Sequence, residues 1–127
     1  MTERRLSIRI ECELPSSMRN LDQGYPQRLS PVLVKNISRG GVCLRIDEFV
    51  SIQSRLYFCI SLPNNRTIEA CISPAWIVEL PHLGKYEMGA RFVEMSPEQE
   101  DAIQEFQYQI LLKKIPSRAN LKPDLAA

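Results

Sequence analysis

The chain has 127 residues, 44% of them hydrophobic, which suits one domain with a modest core and excludes a second. Its 16 Lys and Arg offset 15 Asp and Glu to a net charge of +1, which excludes binding to long nucleic acids or anionic membranes by bulk charge, so any basic site must be local. No apolar run approaches bilayer length and no signal-peptide pattern follows Met1, so the expected location is the cytoplasm, without membrane insertion.

Strand-like runs dominate up to about Met95. The first covers residues 6–12. It is followed by Pro15, Ser16, Ser17, Gly24, Pro26 and Pro31, a density of breakers that predicts a loop. Alternation then becomes clear. Val32, Val34 and Asn36 are expected on one strand face, opposite Leu33, Lys35 and Ile37; after a turn over residues 38–41, Val42, Leu44 and Ile46 alternate with Cys43, Arg45 and Asp47. Leu56, Phe58, Ile60 and Leu62 form the next period-2 face. Pro63, Asn64 and Asn65 then turn into a run over residues 66–80 with Ile68, Ala70 and Ile72 in phase. Pro74 cannot donate to a ladder, so this strand is expected to bend, bulge or move to an edge there, and the phase of Trp76 does not carry across it. Residues 81–85 form the last turn and residues 86–95 the last strand, with Met88, Ala90 and Phe92 on one face. Short, evenly spaced strands with breaker-rich links predict an antiparallel barrel or sandwich.

The period then changes. Ser96 reads as a helix N-cap, Pro97 as the first helical residue and Gln99 as the reciprocal member of a capping box. Ile103, Phe106 and Ile110 make a helical stripe, Lys113 and Lys114 suit the negative end of the dipole, and Pro116 stops continuation. The helix is expected to pack on the barrel within one domain over residues 1–114, leaving residues 115–127 as a mobile tail.

Two segments concentrate the chemistry, Arg5-Leu6-Ser7-Ile8-Arg9 and Asn36-Ile37-Ser38-Arg39-Gly40-Gly41. An arginine fork grips a phosphate or the O6/N7 edge of guanine bidentately, and Arg5 and Arg9 can close on one compact ligand from the same side. Asn36 and Ser38 offer an amide and a hydroxyl. Gly40 and Gly41 permit φ > 0 and a close approach in which backbone N–H groups face a phosphate or a base edge. Taken alone, each segment has a plainer reading, as exposed arginines on a first strand and as a hairpin turn in which Asn, Ser and Gly are common for local reasons.

In this order and spacing the two segments resemble the signature of the PilZ domains, RxxxR followed by [D/N]xSxxG, and the resemblance covers about residues 3–112. Asn36 takes the rarer option at its position, keeping the acceptor oxygen but dropping the charge. The resemblance implies a small six-stranded antiparallel β-barrel with a C-terminal helix, and cyclic di-GMP as ligand with no further cofactor. It implies that Arg5 and Arg9 contact phosphates and guanine, and that Asn36, Ser38, Gly40 and Gly41 line the site. Trp76, in the Ile72-Ser73-Pro74-Ala75-Trp76 run, would set its ring face against a guanine; its plainer reading is packing in the core or barrel wall. In this family an arginine at the position of Arg4 goes with two stacked ligands rather than one. The expected function is a receptor that relays binding to a protein partner through its N-terminal segment. The rival is an adaptor of pilus or flagellar machinery with little nucleotide affinity.

Other chemistry finds no support. His82 sits in a turn with no nucleophile context, and Glu98, Glu100 and Asp101 suit a helix first turn, so no enzyme is expected. Cys12, Cys43, Cys59 and Cys71 lack metal-ligand spacing and are expected as reduced, small hydrophobes in strands. Arg39 reads equally as an added charge at the site or as a solvated loop residue.

Overall fold

The computed structural model describes residues 10–22 and 29–113. They form β1 (Ile10–Asn20), β2 (Ser30–Ile37), β3 (Gly41–Ile46), β4 (Leu56–Ser61), β5 (Thr67–Leu80), β6 (Lys85–Glu94) and α1 (Pro97–Lys113). The strands close into an antiparallel barrel in the order β1-β2-β3-β6-β5-β4, the expected all-β class with a C-terminal helix. Arg4, Arg5 and Arg9, the start of the first strand run, Gly24, Pro26, Lys114 and residues 115–127 lie outside the described residues. No helix of the described chain is long and apolar enough to cross a membrane.

Alternation fills the barrel. Val42, Leu44 and Ile46 from β3, Leu56, Phe58 and Ile60 from β4, Ile68 and Ile72 from β5 and Met88 from β6 point inward and are almost wholly buried. Each such side chain contributes about 1.5–3 kcal/mol of transfer free energy, which is what holds the strands around one axis.

The predicted loop after residue 12 is wrong in its first half. β1 runs on through Pro15, Ser16 and Ser17, pairing Leu14 with Val34 and Pro15 with Leu33. The ladder to β4 begins only at Ser17, so the part of β1 that holds Pro15 has an unpaired edge, where a missing N–H is tolerated. Pro31 likewise falls at the start of β2 rather than in a loop, which is the other strand position open to proline.

Two bulges then decide which residues face out. Between Val34 and Asn36 the β2–β3 register slips, so Lys35 is the extra residue and the phase of β2 reverses. Ile37 is thereby buried at 0% exposure while Asn36 pairs with Cys43 on the outer face, the reverse of the straight alternation expected from the sequence. The second bulge lies between Pro74 and Trp76, where a break was expected. It leaves Trp76 43% exposed, paired with Gly89.

α1 closes one end of the barrel. Ser96 Oγ accepts from the Gln99 amide at 3.2 Å, the expected N-cap. Gln99 does not complete a capping box, because its Oε1 accepts from the backbone N–H of Glu69 at 2.7 Å and ties the helix start to β5 instead. Ile103 and Phe106 enter the core, and Ile110 packs against it half-buried. From the β4–β5 turn, Asn64 donates to the Ala102 carbonyl, and Arg66 pairs with Glu105 at 3.0 Å. Buried Gln107 donates from Nε2 to the carbonyl of Ile37 at 3.2 Å, fixing the helix to the end of β2.

Candidate functional site

The bend between β2 and β3 holds the second motif. Its frame is the Ser38 amide donating to the Gly41 carbonyl at 2.9 Å. Ser38 is only 2% exposed, and its Oγ accepts from the amides of Gly40 at 3.2 Å and Gly41 at 3.3 Å. The hydroxyl therefore shapes the loop from inside, and the two amides expected to face a ligand are turned to Ser38. Gly40 remains exposed, with its carbonyl accepting from the Phe92 amide at 3.0 Å, which pins the loop to β6.

The expectation of φ > 0 at Gly40 and Gly41 is not met, since positive φ among the described residues occurs at Asn65 and Gly84. Gly41 is needed for a different reason. A Cβ there would lie 2.3 Å from the Ala90 carbonyl oxygen of β6, so only glycine lets the two backbones meet.

Registers carry the site across the barrel wall. Asn36 pairs with Cys43, Cys43 with Gly89, and Gly89 with Trp76, so residues from β2, β3, β6 and β5 form one outward row. The indole of Trp76 lies over Gly89: a Cβ on Gly89 would come within 2.3 Å of Nε1. Trp76 is thus a barrel-wall residue, as its plainer reading had it, and its exposed surface also suits it as a platform for a flat ring. The floor beside it is made of Gly41, Cys43 and Gly89, which raise little or no side chain above the sheet.

Beyond Asn36 the row meets a cleft of about 490 Å³ lined by Glu11, Glu13, Lys35, Asn36, Cys43 and Glu87, with Cys12. Ion pairs set its charge. Lys35 Nζ binds Glu13 at 2.7 Å, and that hydrogen bond, followed by the lysine's charge, holds the Glu13 carboxyl below its ordinary value. Arg45 pairs with Glu87 at 3.4 Å. Lys35, the cation in the cleft's lining, and Arg45, which reaches its Glu87, are therefore already matched by carboxylates.

Arg39 lines a different groove, against α1, together with Arg66, Gln107 and Tyr108. The sequence reading had passed over Gly89 and Arg91. Gly89 carried a signal, since a glycine inside a strand marks a close approach, here by an indole. Arg91 is exposed on β6, directly opposite Gly41 on one side and Ser73 on the other. Cys12, Cys43, Cys59 and Cys71 all lie in strands, but only Cys43 is buried.

Residues 3–109 match the family model of the PilZ domain. Among solved structures, the Bacillus subtilis inhibitor of motility (MotI/DgrA) superposes with a TM-score of 0.72 at 22% identity, over 86% of this chain and 52% of that one. The chain therefore spans about half the length of that protein. The PilZ domain with c-di-GMP of YcgR from Escherichia coli gives 0.69 at 13% identity, over 91% of this chain and 98% of that one. The K. pneumonia MrkH–c-di-GMP complex gives 0.63 at 13% identity, over 85% of this chain and 52% of that one. At these identities the likeness is one of fold. No curated protein matches the sequence.

Proposed function

The chain belongs to the PilZ domain family, and from that premise we propose that it is a non-catalytic receptor for cyclic di-GMP, acting in the cytoplasm on a protein partner. The observation that supports this best is the outward row itself: a polar amide at Asn36 and an aromatic platform at Trp76, separated by a floor of small residues, stand beside the motif loop. A planar base needs such a floor to approach closely, and stacking on an aromatic face is worth about 1–3 kcal/mol per base. Arg5 and Arg9 would close over the ligand from the N-terminal side, gripping phosphate and guanine, and their ordering would carry the signal to the partner. Two neighbours of similar fold are c-di-GMP complexes, and a third is an inhibitor of motility, so a partner in motility or biofilm control suits this chain. The retained motif pair favours a receptor over an adaptor that ignores nucleotide.

Calorimetric titration with cyclic di-GMP, with GMP and GTP as controls, tests the reading. Binding of cyclic di-GMP well above the controls is expected; no heat with any of them would leave the adaptor reading. Because a stacked pair brings four phosphodiester charges together and Arg4 would offset part of their repulsion, about two ligands per chain are expected, falling towards one in Arg4→Leu. A wild-type value near one removes the pair.

Gly89→Ala provides a check on the platform. The added Cβ overlaps the indole, which is half-exposed and can swing away, so the barrel should survive while affinity falls by about tenfold. The fluorescence of the single tryptophan should report the displacement. Unchanged affinity with a displaced indole would show that Trp76 does not carry the base.

A further inference from the structure

We infer that Arg91 is a phosphate-positioning residue of this face, a cation fixed to the barrel rather than to the N-terminal segment; the inference rests on the receptor reading above. Four observations place it there. Its neighbours in sequence, Ala90 and Phe92, lie on the inner face, which sends Arg91 outward, and it is exposed. Its partner across β3 is Gly41, which has no side chain to cover it; the Cα of Arg91 lies 3.3 Å from where a Gly41 Cβ would be. Its partner on β5 is Ser73, and Trp76, just past the Pro74–Trp76 bulge, pairs with Gly89 two residues earlier on β6, so Arg91 and Trp76 are near neighbours on one face. In a regular ladder such diagonal neighbours lie about 7–8 Å apart, a spacing that one ligand can bridge by stacking a base and extending a phosphate. Finally, the side chain of Arg91 makes no hydrogen bond or ion pair among the described residues, whereas Lys35 and Arg45 are held by Glu13 and Glu87.

The chemistry follows from the contrast. A guanidinium already matched by a carboxylate must break that pair to take a phosphodiester, while an unmatched one offers its full fork. Held on β6 between β3 and β5, it needs little ordering to do so. Charge, rather than packing, is then the property that counts at this position.

The test is titration of Arg91→Gln and Arg91→Lys with cyclic di-GMP, at low and raised ionic strength, beside their melting curves. Arg91→Gln should bind about tenfold more weakly, with affinity less dependent on salt than the wild type, and Arg91→Lys should recover part of the loss as a point charge without the fork. Melting temperatures should match the wild type. Arg91→Gln that binds as tightly as wild type, or two variants equally weak with lowered melting temperatures, would overturn the inference while wild-type binding still upholds the receptor. A wild type that binds no cyclic di-GMP removes both.

Discussion

Gly41→Ala is expected to destabilise the barrel itself, not merely the ligand site. The added methyl would stand 2.3 Å from the Ala90 carbonyl oxygen and 3.3 Å from both the Ala90 carbonyl carbon and the Arg91 Cα. Every one of these atoms is backbone of β6, held in a ladder that pairs Gly41 with Arg91 and Val42 with Ala90. No flexible side chain can give way, so the strands must part at the start of β3. Forced overpacking of this kind costs about 1–3 kcal/mol or more. Against a total stability of about 5–15 kcal/mol, that should lower the melting temperature by roughly 5–15 °C, and Gly41→Val by more. Thermal unfolding followed by circular dichroism measures it. A Gly41→Ala protein with the wild-type melting curve and no ligand binding would move the role of this glycine from the ladder to the nucleotide, where the sequence alone had put it.

The second large effect is expected at the first motif. Arg5→Ala and Arg9→Ala should each weaken cyclic di-GMP binding at least tenfold, since a charge-assisted bidentate contact is worth about 1.5–3 kcal/mol. The double variant should lose roughly a hundredfold or more where the two contacts add. Melting temperature should hardly move, because a charged guanidinium is ordinarily kept at the surface and truncating it removes no core packing. Parallel calorimetry and melting curves decide it. Full affinity in either single variant would make that arginine a surface residue and leave Arg91 and the Trp76 face as the anchors. Loss in both Arg5→Ala and Arg91→Gln would instead describe a ligand held from two sides.

The comparison of Asn36 with Trp76 shows how far local pattern reaches. Both were marked as site residues from sequence, one by the motif and one by the run around Pro74. Neither could be aimed. A strand's facing follows its period of two only while the ladder is regular, and each residue sits just beyond a bulge that reverses the count. The Pro74 bulge announced itself through a residue that cannot donate. The Lys35 bulge did not, because Lys-Asn in a strand carries no such chemical mark, and only pairing with β3 shows that Lys35 has no opposite number.

What the sequence determined by itself was whatever depends on neighbours a few residues away. The alternation of β3, β4, the first half of β5 and β6, the Ser96 cap and the Ile103–Phe106 stripe all follow from side-chain period and local hydrogen bonding. The tertiary structure decided what depends on distant partners. β1 continues through Pro15 because β4 joins it only from Ser17; Gln99 leaves its own cap because the Glu69 amide waits on β5; and Gly41 is glycine because of Ala90. The row from Asn36 to Trp76 belongs to the same class, since four strands must close in register before two residues so far apart in the chain can stand on one face.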